Sequence, residues 1–139
     1  MECRIHKLIA DVAVFSEGAV LLVRYRDVSR YDGQRGWFLP DDFLRHLEHP
    51  TDGARRILME QVGMDAAEPR LDHIESFGDG AWHLSFHHRV DVPGRPAPTP
   101  GENVRDAAWF AIDALPGTEE VAHEGWALNV LESLTTTNP

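Results

Sequence analysis

A single cysteine, Cys3, stands among the 139 residues. No intrachain disulfide can form, which suits a reducing compartment and places the chain in the cytoplasm by expectation. No apolar run reaches the length of a membrane span. The opening MECRIHKLIADVAVF mixes charged with apolar residues, so it is not expected to act as a secretory signal. Positive charge is also scarce: 13 Lys and Arg face 23 Asp and Glu, a formal net charge of −10. Such a surface repels nucleic-acid backbones and anionic lipids, so neither is an expected partner. A local basic pocket for one small anionic ligand remains compatible with it. Internal repeats are absent as well.

What is present is an ordinary globular composition, 42% hydrophobic, enough for one domain over residues 1–139 with a real core. HKLIADVAVF and AVLLVRY are rich in Val, Ile and Leu and are separated by SEG, which reads as a hairpin. RDVSRYDGQRG is a polar loop, and WFLP is a short apolar piece closed by proline. Thr51 or Asp52 is the expected cap of a helix running to Val62, with Gly63 ending it. Ala54, Leu58 and Val62 then face the core. RLDHIESFGDG gives a strand and a turn. In AWHLSFHHRVDV, Trp82, Leu84, Phe86, His88 and Val90 alternate with His83, Ser85, His87 and Arg89. The second set is expected to form a mildly polar, exposed face. PGRPAPTPG holds four prolines in nine residues and is an extended loop. VRDAAWFAI is a further strand. A last helix is expected from Thr118 to Leu134, with Ala127, Val130, Leu131 and Leu134 inward and TTTNP as a frayed tail. Strands, helix, strands, helix make an α+β domain or an α/β/α sandwich. The four tryptophans are expected in the core.

One helix bears on chemistry. Residues three and four apart share a helix face, so positions 57, 60 and 61 form one cluster. Carboxylates there would jointly hold Mg²⁺ or Mn²⁺, which prefer oxygen ligands. Such an ion polarises a phosphoryl oxygen and activates water. The residues present are Ile57, Glu60 and Gln61.

The stretch resembles the signature of the Nudix hydrolases, which cleave nucleoside diphosphates linked to another moiety. That signature is G, five residues, E, seven residues, R-E, an aliphatic and any residue, E-E, any residue, G and an aliphatic residue. Asp42, Glu48, Arg56, Ile57, Glu60, Gln61, Gly63 and Met64 keep every spacing. Trp37, Leu39 and Pro40 match the W-x-L-P that usually precedes it. LLVRYRD, ENVRDAAWFAIDALP and the last helix fall where such a domain would have them. The resemblance implies a mixed sheet flanked by helices, a Mg²⁺- or Mn²⁺-dependent pyrophosphohydrolase and a nucleotide-like small-molecule ligand; homodimers are common among such proteins.

The departures are as specific as the matches. The two glycines expected after Pro40 are Asp41 and Asp42. The glutamate after Arg56 is Ile57, and the second of the paired glutamates is Gln61. Glu60 is the one metal-ligand position kept on the helix, with Glu48 as the loop glutamate and Arg56 as the orienting arginine. Asp41 and Asp42 either return carboxylates to the site or serve as turn residues. Glu48 and Arg56 alternatively form a structural ion pair, as do Arg56 and Glu60 at helical spacing. Two function classes follow: a pyrophosphohydrolase of weak or absent activity, or a non-catalytic domain that binds a nucleotide-like ligand or a protein partner. A purely structural, dimerising role is a third. His83 with His87, and His46 with His49, are secondary candidates for metal or phosphate contacts. Phe43 and Tyr31 are the candidates for stacking on a base. Glu102 is expected to face solvent.

Overall fold

A computed structural model describes residues 6–65, 68–78 and 80–136 of the chain; Cys3 lies outside the described residues. Strand β1 (His6–Ser16) turns back into β2 (Ala19–Tyr25) through Glu17 and Gly18. Both turn residues have positive φ, 48° and 76°. A two-residue turn of that hand matches the twist of the strands it joins. After a loop come β3 (Asp41–Phe43), helix α1 (Pro50–Val62), β4 (Arg70–Phe77), β5 (Trp82–Asp91), β6 (Val104–Ala111) and helix α2 (Ala122–Thr136). The strands form one mixed sheet in the order β4-β5-β1-β2-β6, and β3 pairs with β1. Only β1 and β5 run parallel; the other pairings are antiparallel.

The sheet divides the core in two. Val12, Val14, Leu21 and Val23 pack with Ala54, Leu58 and Val62 of α1. Ala13, Phe15, Val20 and Leu22 pack with Ala127, Val130, Leu131 and Leu134 of α2. The alternation along β1 and β2 therefore feeds both layers, as period-2 geometry requires. No helix among the described residues is long and apolar enough to cross a membrane.

Several local expectations are corrected. The N-cap of α1 is His49, not Thr51 or Asp52: its Nδ1 accepts from the Thr51 N–H at 3.1 Å, and Pro50 occupies the first helical position. A proline there loses nothing, because that N–H has no partner within the helix. Gly63 ends the helix as expected, with φ at 70°. Helix α2 starts at Ala122 rather than Thr118, which opens a separate 3₁₀ turn, Thr118–Glu120. His123, Glu124 and Gly125 then take left-handed angles before the regular helix begins. Trp82 is half exposed instead of buried, its Nε1 donating to Ser76 Oγ of β4 at 2.8 Å.

The second face of β5 is the largest correction. Ser85 and His87 are buried, not exposed. His87 Nδ1 meets Asp11 Oδ2 at 2.6 Å and Nε2 meets Glu75 Oε1 at 2.9 Å, so one imidazole ties β5 to both neighbouring strands. Burial alone would lower its pKa, but the two carboxylates outweigh burial and raise it to about 8. Asp11 itself is pushed up by burial, a rise that His87 only partly offsets. His88 points to the other layer, with Nε2 at 3.3 Å from Thr51 Oγ1 at the start of α1.

The proline-rich loop is not loosely attached. Thr99 N–H donates to Val62 O and Gly101 N–H to Gln61 O, each at 2.9 Å, satisfying carbonyls at the end of α1. A Cβ on Gly101 would collide with the Glu60 carbonyl oxygen, whereas Gly94 faces open space at a φ of 76°. Gly101→Ala is therefore expected to lower stability by roughly 2 kcal/mol or more through overpacking and lost caps. Gly94→Ala costs only its backbone strain, about 1 kcal/mol. Urea denaturation of the two variants should show this order.

Candidate functional site

The signature residues meet at the junction of β3, the loop after it and α1. Arg56 is at the centre, with its side chain only 10% exposed. Its Nε donates to Glu48 Oε2 at 2.8 Å and its Nη2 to Glu48 Oε1 at 2.9 Å, a bidentate pair. Nη2 also donates to the Phe43 carbonyl at 3.1 Å, and Nη1 to Asp42 Oδ2 at 3.1 Å and Glu60 Oε2 at 3.4 Å. A planar guanidinium with five N–H groups suits this forked arrangement. Hydrogen bonding to Arg56 holds the Glu48 carboxyl below its ordinary pKa, and Glu48 in turn raises that of Arg56.

Further cations sit on the outside. Arg45 Nη2 contacts Glu60 Oε1 at 2.9 Å, and Arg30 Nη2 contacts Asp42 Oδ1 at 2.9 Å. Each of the three gathered carboxylates, Asp42, Glu48 and Glu60, is thus bonded to at least one guanidinium. Asp42 and Glu48 are mostly buried, whereas Glu60 is 48% exposed.

The helix positions expected to converge do not. Ile57 is fully buried. Gln61 turns to β2 and β3: its Nε2 donates to the Asp41 carbonyl at 2.8 Å, and its Oε1 accepts from the Tyr25 hydroxyl at 2.8 Å. Asp41 likewise separates from Asp42. Its N–H donates to the Tyr25 oxygen at 3.1 Å, its carbonyl accepts from Tyr31 OH at 3.2 Å, and its Oδ1 lies 3.2 Å from Tyr25 OH. Burial, then the nearby Asp11 carboxyl, push the Asp41 pKa well above the carboxylate range. Tyr25 and Tyr31 stack at 3.9 Å above this frame. No sequence signal pointed to Tyr25, Arg30 or Arg45, because each enters through a contact remote in the chain.

Beside this cluster opens a cavity of about 360 Å³. It is bounded by β1, β3, β5, α2 and the 30–32 segment. Phe43, Phe77 and Trp126 give it aromatic walls; Lys7 pairs with Asp32 and Arg30 with Asp42 along its rim, and Asp41 stands at its inner side. Both proposed stacking residues, Phe43 and Tyr31, line it, but Tyr31 is committed to Tyr25. The other histidine candidates lie apart: His49 caps α1, His46 is exposed, and His83 stacks on Phe77 at 4.9 Å as part of the cavity wall. Glu102 is exposed as expected.

Among the described residues no group of three or more His, Cys, Asp or Glu side chains is disposed to hold a metal ion. The donor set explains this: oxygen atoms that would face a dication face Arg56 instead, and positions 57 and 61 supply no carboxylate. Removing the guanidinium would leave buried carboxylates unpaired. Arg56→Met is expected to cost roughly 3 kcal/mol at neutral pH. Because the Glu48 pKa is depressed in the folded state, its stabilisation is present above the ordinary carboxylate range and is lost as pH falls through the depressed value. The penalty of Arg56→Met should accordingly shrink below about pH 4, as urea denaturation across pH would show.

The architecture has many relatives of known structure. A Nudix hydrolase from Nitrosomonas europaea superposes with a TM-score of 0.70 at 17% identity, covering 99% of this chain and 77% of that one. The dihydroneopterin triphosphate pyrophosphohydrolase of E. coli gives 0.74 at 12% identity, over 97% and 100%. A bifunctional NMN adenylyltransferase/ADP ribose pyrophosphatase of Francisella tularensis, complexed with AMP and a manganese ion, gives 0.74 at 13% identity. It is matched over 97% of this chain but only 43% of its own length. No curated protein matches by sequence. At these identities the superpositions establish the mixed sheet flanked by two helices and no more. The family model of the NUDIX domain, in contrast, matches the sequence itself over residues 6–131, and the chain belongs to the Nudix family.

Proposed function

We propose that this chain uses the Nudix fold to bind a nucleotide-like small molecule in the cavity beside α2, and that hydrolysis of a pyrophosphate bond is weak or absent. The observation that carries the reading is the set of bonds made by Arg56. Asp42, Glu48 and Glu60 are all bonded to one internal cation that cannot be deprotonated or exchanged, and Arg30 and Arg45 pair with the outer two. A dication entering the same space would have to displace that guanidinium and would gain few oxygen ligands for it. Glu60, exposed and on the rim, retains room for a loosely held ion beside substrate phosphates. Asp41 bonds Tyr25 and Gln61, is not among the acids gathered on Arg56, and does not restore the missing ligands.

The cavity supports ligand binding on separate grounds. Its volume is in the range of small-molecule sites, and its walls combine aromatic faces with a few convergent polar groups. The aromatic side chains suit a flat ring, and an anionic portion of the ligand would compete with Asp32 for Lys7 and with Asp42 for Arg30. The AMP and manganese named with the Francisella protein make a nucleotide the first class to try. Family membership favours a second reading, residual Mg²⁺- or Mn²⁺-dependent pyrophosphohydrolysis through Glu60 and Glu48, and one experiment separates the two.

Mg²⁺ and Mn²⁺ are titrated into wild type by calorimetry, and a panel of nucleoside diphosphate derivatives is assayed for cleavage. The expected result is binding no tighter than about millimolar with no metal-stimulated turnover, while one or more nucleotides bind without metal. Because Ile57 is fully buried and Gln61 faces the Asp41 carbonyl, Ile57→Glu with Gln61→Glu is expected to lower stability by roughly 3 kcal/mol or more, with Mg²⁺ restoring little of it. Micromolar metal binding together with turnover by wild type would overturn the reading in favour of a working hydrolase.

A further inference from the structure

The two carboxylates paired along the cavity rim are held very unequally. Asp42, the partner of Arg30, is 14% exposed. Its Oδ1 also accepts from the Phe43 N–H at 2.8 Å, and its Oδ2 accepts from Arg56 at 3.1 Å. It cannot leave Arg30 without breaking that set. Asp32 is 54% exposed, and it meets Lys7 Nζ through Oδ1 and His123 Nε2 through Oδ2, each at 3.5 Å. Facing a carboxylate, that ring nitrogen carries the hydrogen. Both distances exceed a hydrogen bond of ordinary length. One carboxylate thus stretches between a cation of β1 and a donor at the start of α2 without closing on either, and ion pairs this exposed contribute little. Lys7, Asp32 and His123 all line the cavity. His123 does not depend on Asp32 for its place. Its φ of 54° is left-handed, its N–H donates to Gln34 Oε1 at 3.1 Å, and the Ala122 N–H donates to the Trp37 carbonyl at 3.0 Å. Left-handed backbone at a residue other than glycine persists only where its surroundings fix it, as at ligand clamps.

We propose that Lys7 and His123 form a phosphoryl-binding subsite at the rim of the cavity, and that Asp32 fills it until a phosphoryl group of the ligand takes its place. This rests on the small-molecule reading of the cavity given above. A terminal phosphoryl group carries three acceptor oxygens and ~2 negative charges at neutral pH. Separate oxygens can close on Lys7 and on His123, which the two oxygens of the Asp32 carboxylate do not do. Asp32, already half in solvent, turns outward at small cost. Arg30 takes no part, because Asp42 stays bound to it. Asp32 therefore acts as an internal competitor: it weakens the binding of phosphorylated ligands and leaves that of uncharged ones unaltered.

Pyrophosphate is the probe, titrated by calorimetry without metal at an ionic strength of about 0.15 M. Asp32→Asn removes the charge and tolerates the left-handed backbone at this position, φ 56°. It should bind pyrophosphate about fivefold tighter than wild type or better. Asp113→Asn makes the same charge change at an exposed residue outside the cavity lining and should alter affinity by less than about twofold. Lys7→Gln should weaken binding, and in its background the gain from Asp32→Asn should shrink. In wild type and Asp32→Asn, the His123 ring resonances should shift along the calorimetric curve. An affinity in Asp32→Asn no better than wild type, an equal gain in Asp113→Asn, unmoved His123 resonances, or no binding to Asp32→Asn would overturn the subsite. AMP and adenosine, which differ by the phosphoryl group alone, separate this from the nucleotide reading. Asp32→Asn should tighten AMP and leave adenosine unchanged. If pyrophosphate behaves as expected and neither AMP nor adenosine binds, the nucleotide reading fails and the subsite stands. If AMP binds and Asp32→Asn does not tighten it, the subsite is overturned.

Discussion

The bonds of one guanidinium organise this end of the molecule. Arg56 rises from α1 into a ring of Asp42, Glu48, Glu60 and the Phe43 carbonyl, and only a tenth of it reaches solvent. It holds β3 and the loop after it against the helix. The acids are close together because the arginine is there: without it, like charges in a half-buried space would repel one another and each would lose solvation for nothing. The same fact sets the chemistry. In the reading proposed, the lone pairs that a dication would need are directed at Arg56, with Arg30 and Arg45 outside it.

The two replaced helix positions follow the same logic. Ile57 is fully buried and adds apolar surface in the place of a ligand. Gln61 keeps the length of a glutamate but uses both ends of its amide, one on Tyr25 and one on Asp41. A glutamate there would set a carboxylate against the Asp41 carbonyl, so the amide is matched to its surroundings. The helix is thus complete as a structural element. Its polar groups are spent on positioning β3, and β3 in turn forms the inner wall of the cavity.

Much of this was legible in the sequence, and the legible parts were local. The hairpin at Glu17–Gly18, the left-handed Gly63 and the inward stripe of Ala54, Leu58 and Val62 follow from turn chemistry and helical spacing. The Glu48–Arg56 pair was visible from the signature's spacing. The rest depended on which strands become neighbours. Because β1 and β5 lie side by side in parallel, Asp11 meets His87, and a face that reads as exposed is buried. His49 is an uncommon cap, its ring nitrogen acting where a hydroxyl or carboxylate is usual. Asp41 and Asp42 are adjacent in sequence but serve different neighbours, and only the pairing of β3 with β1 separates them.

The central claim is that Arg56 keeps its carboxylates when a dication is offered. The most direct measurement follows the Arg56 Nε–H resonance in ¹⁵N-labelled protein while diamagnetic Mg²⁺ is added. With the guanidinium in place, that resonance keeps its position and its protection from exchange up to about the low millimolar range. A shift of Arg56 Nε–H that saturates at micromolar Mg²⁺, with faster exchange of its proton, would mean that the ion takes the carboxylates from the arginine, and would contradict the account.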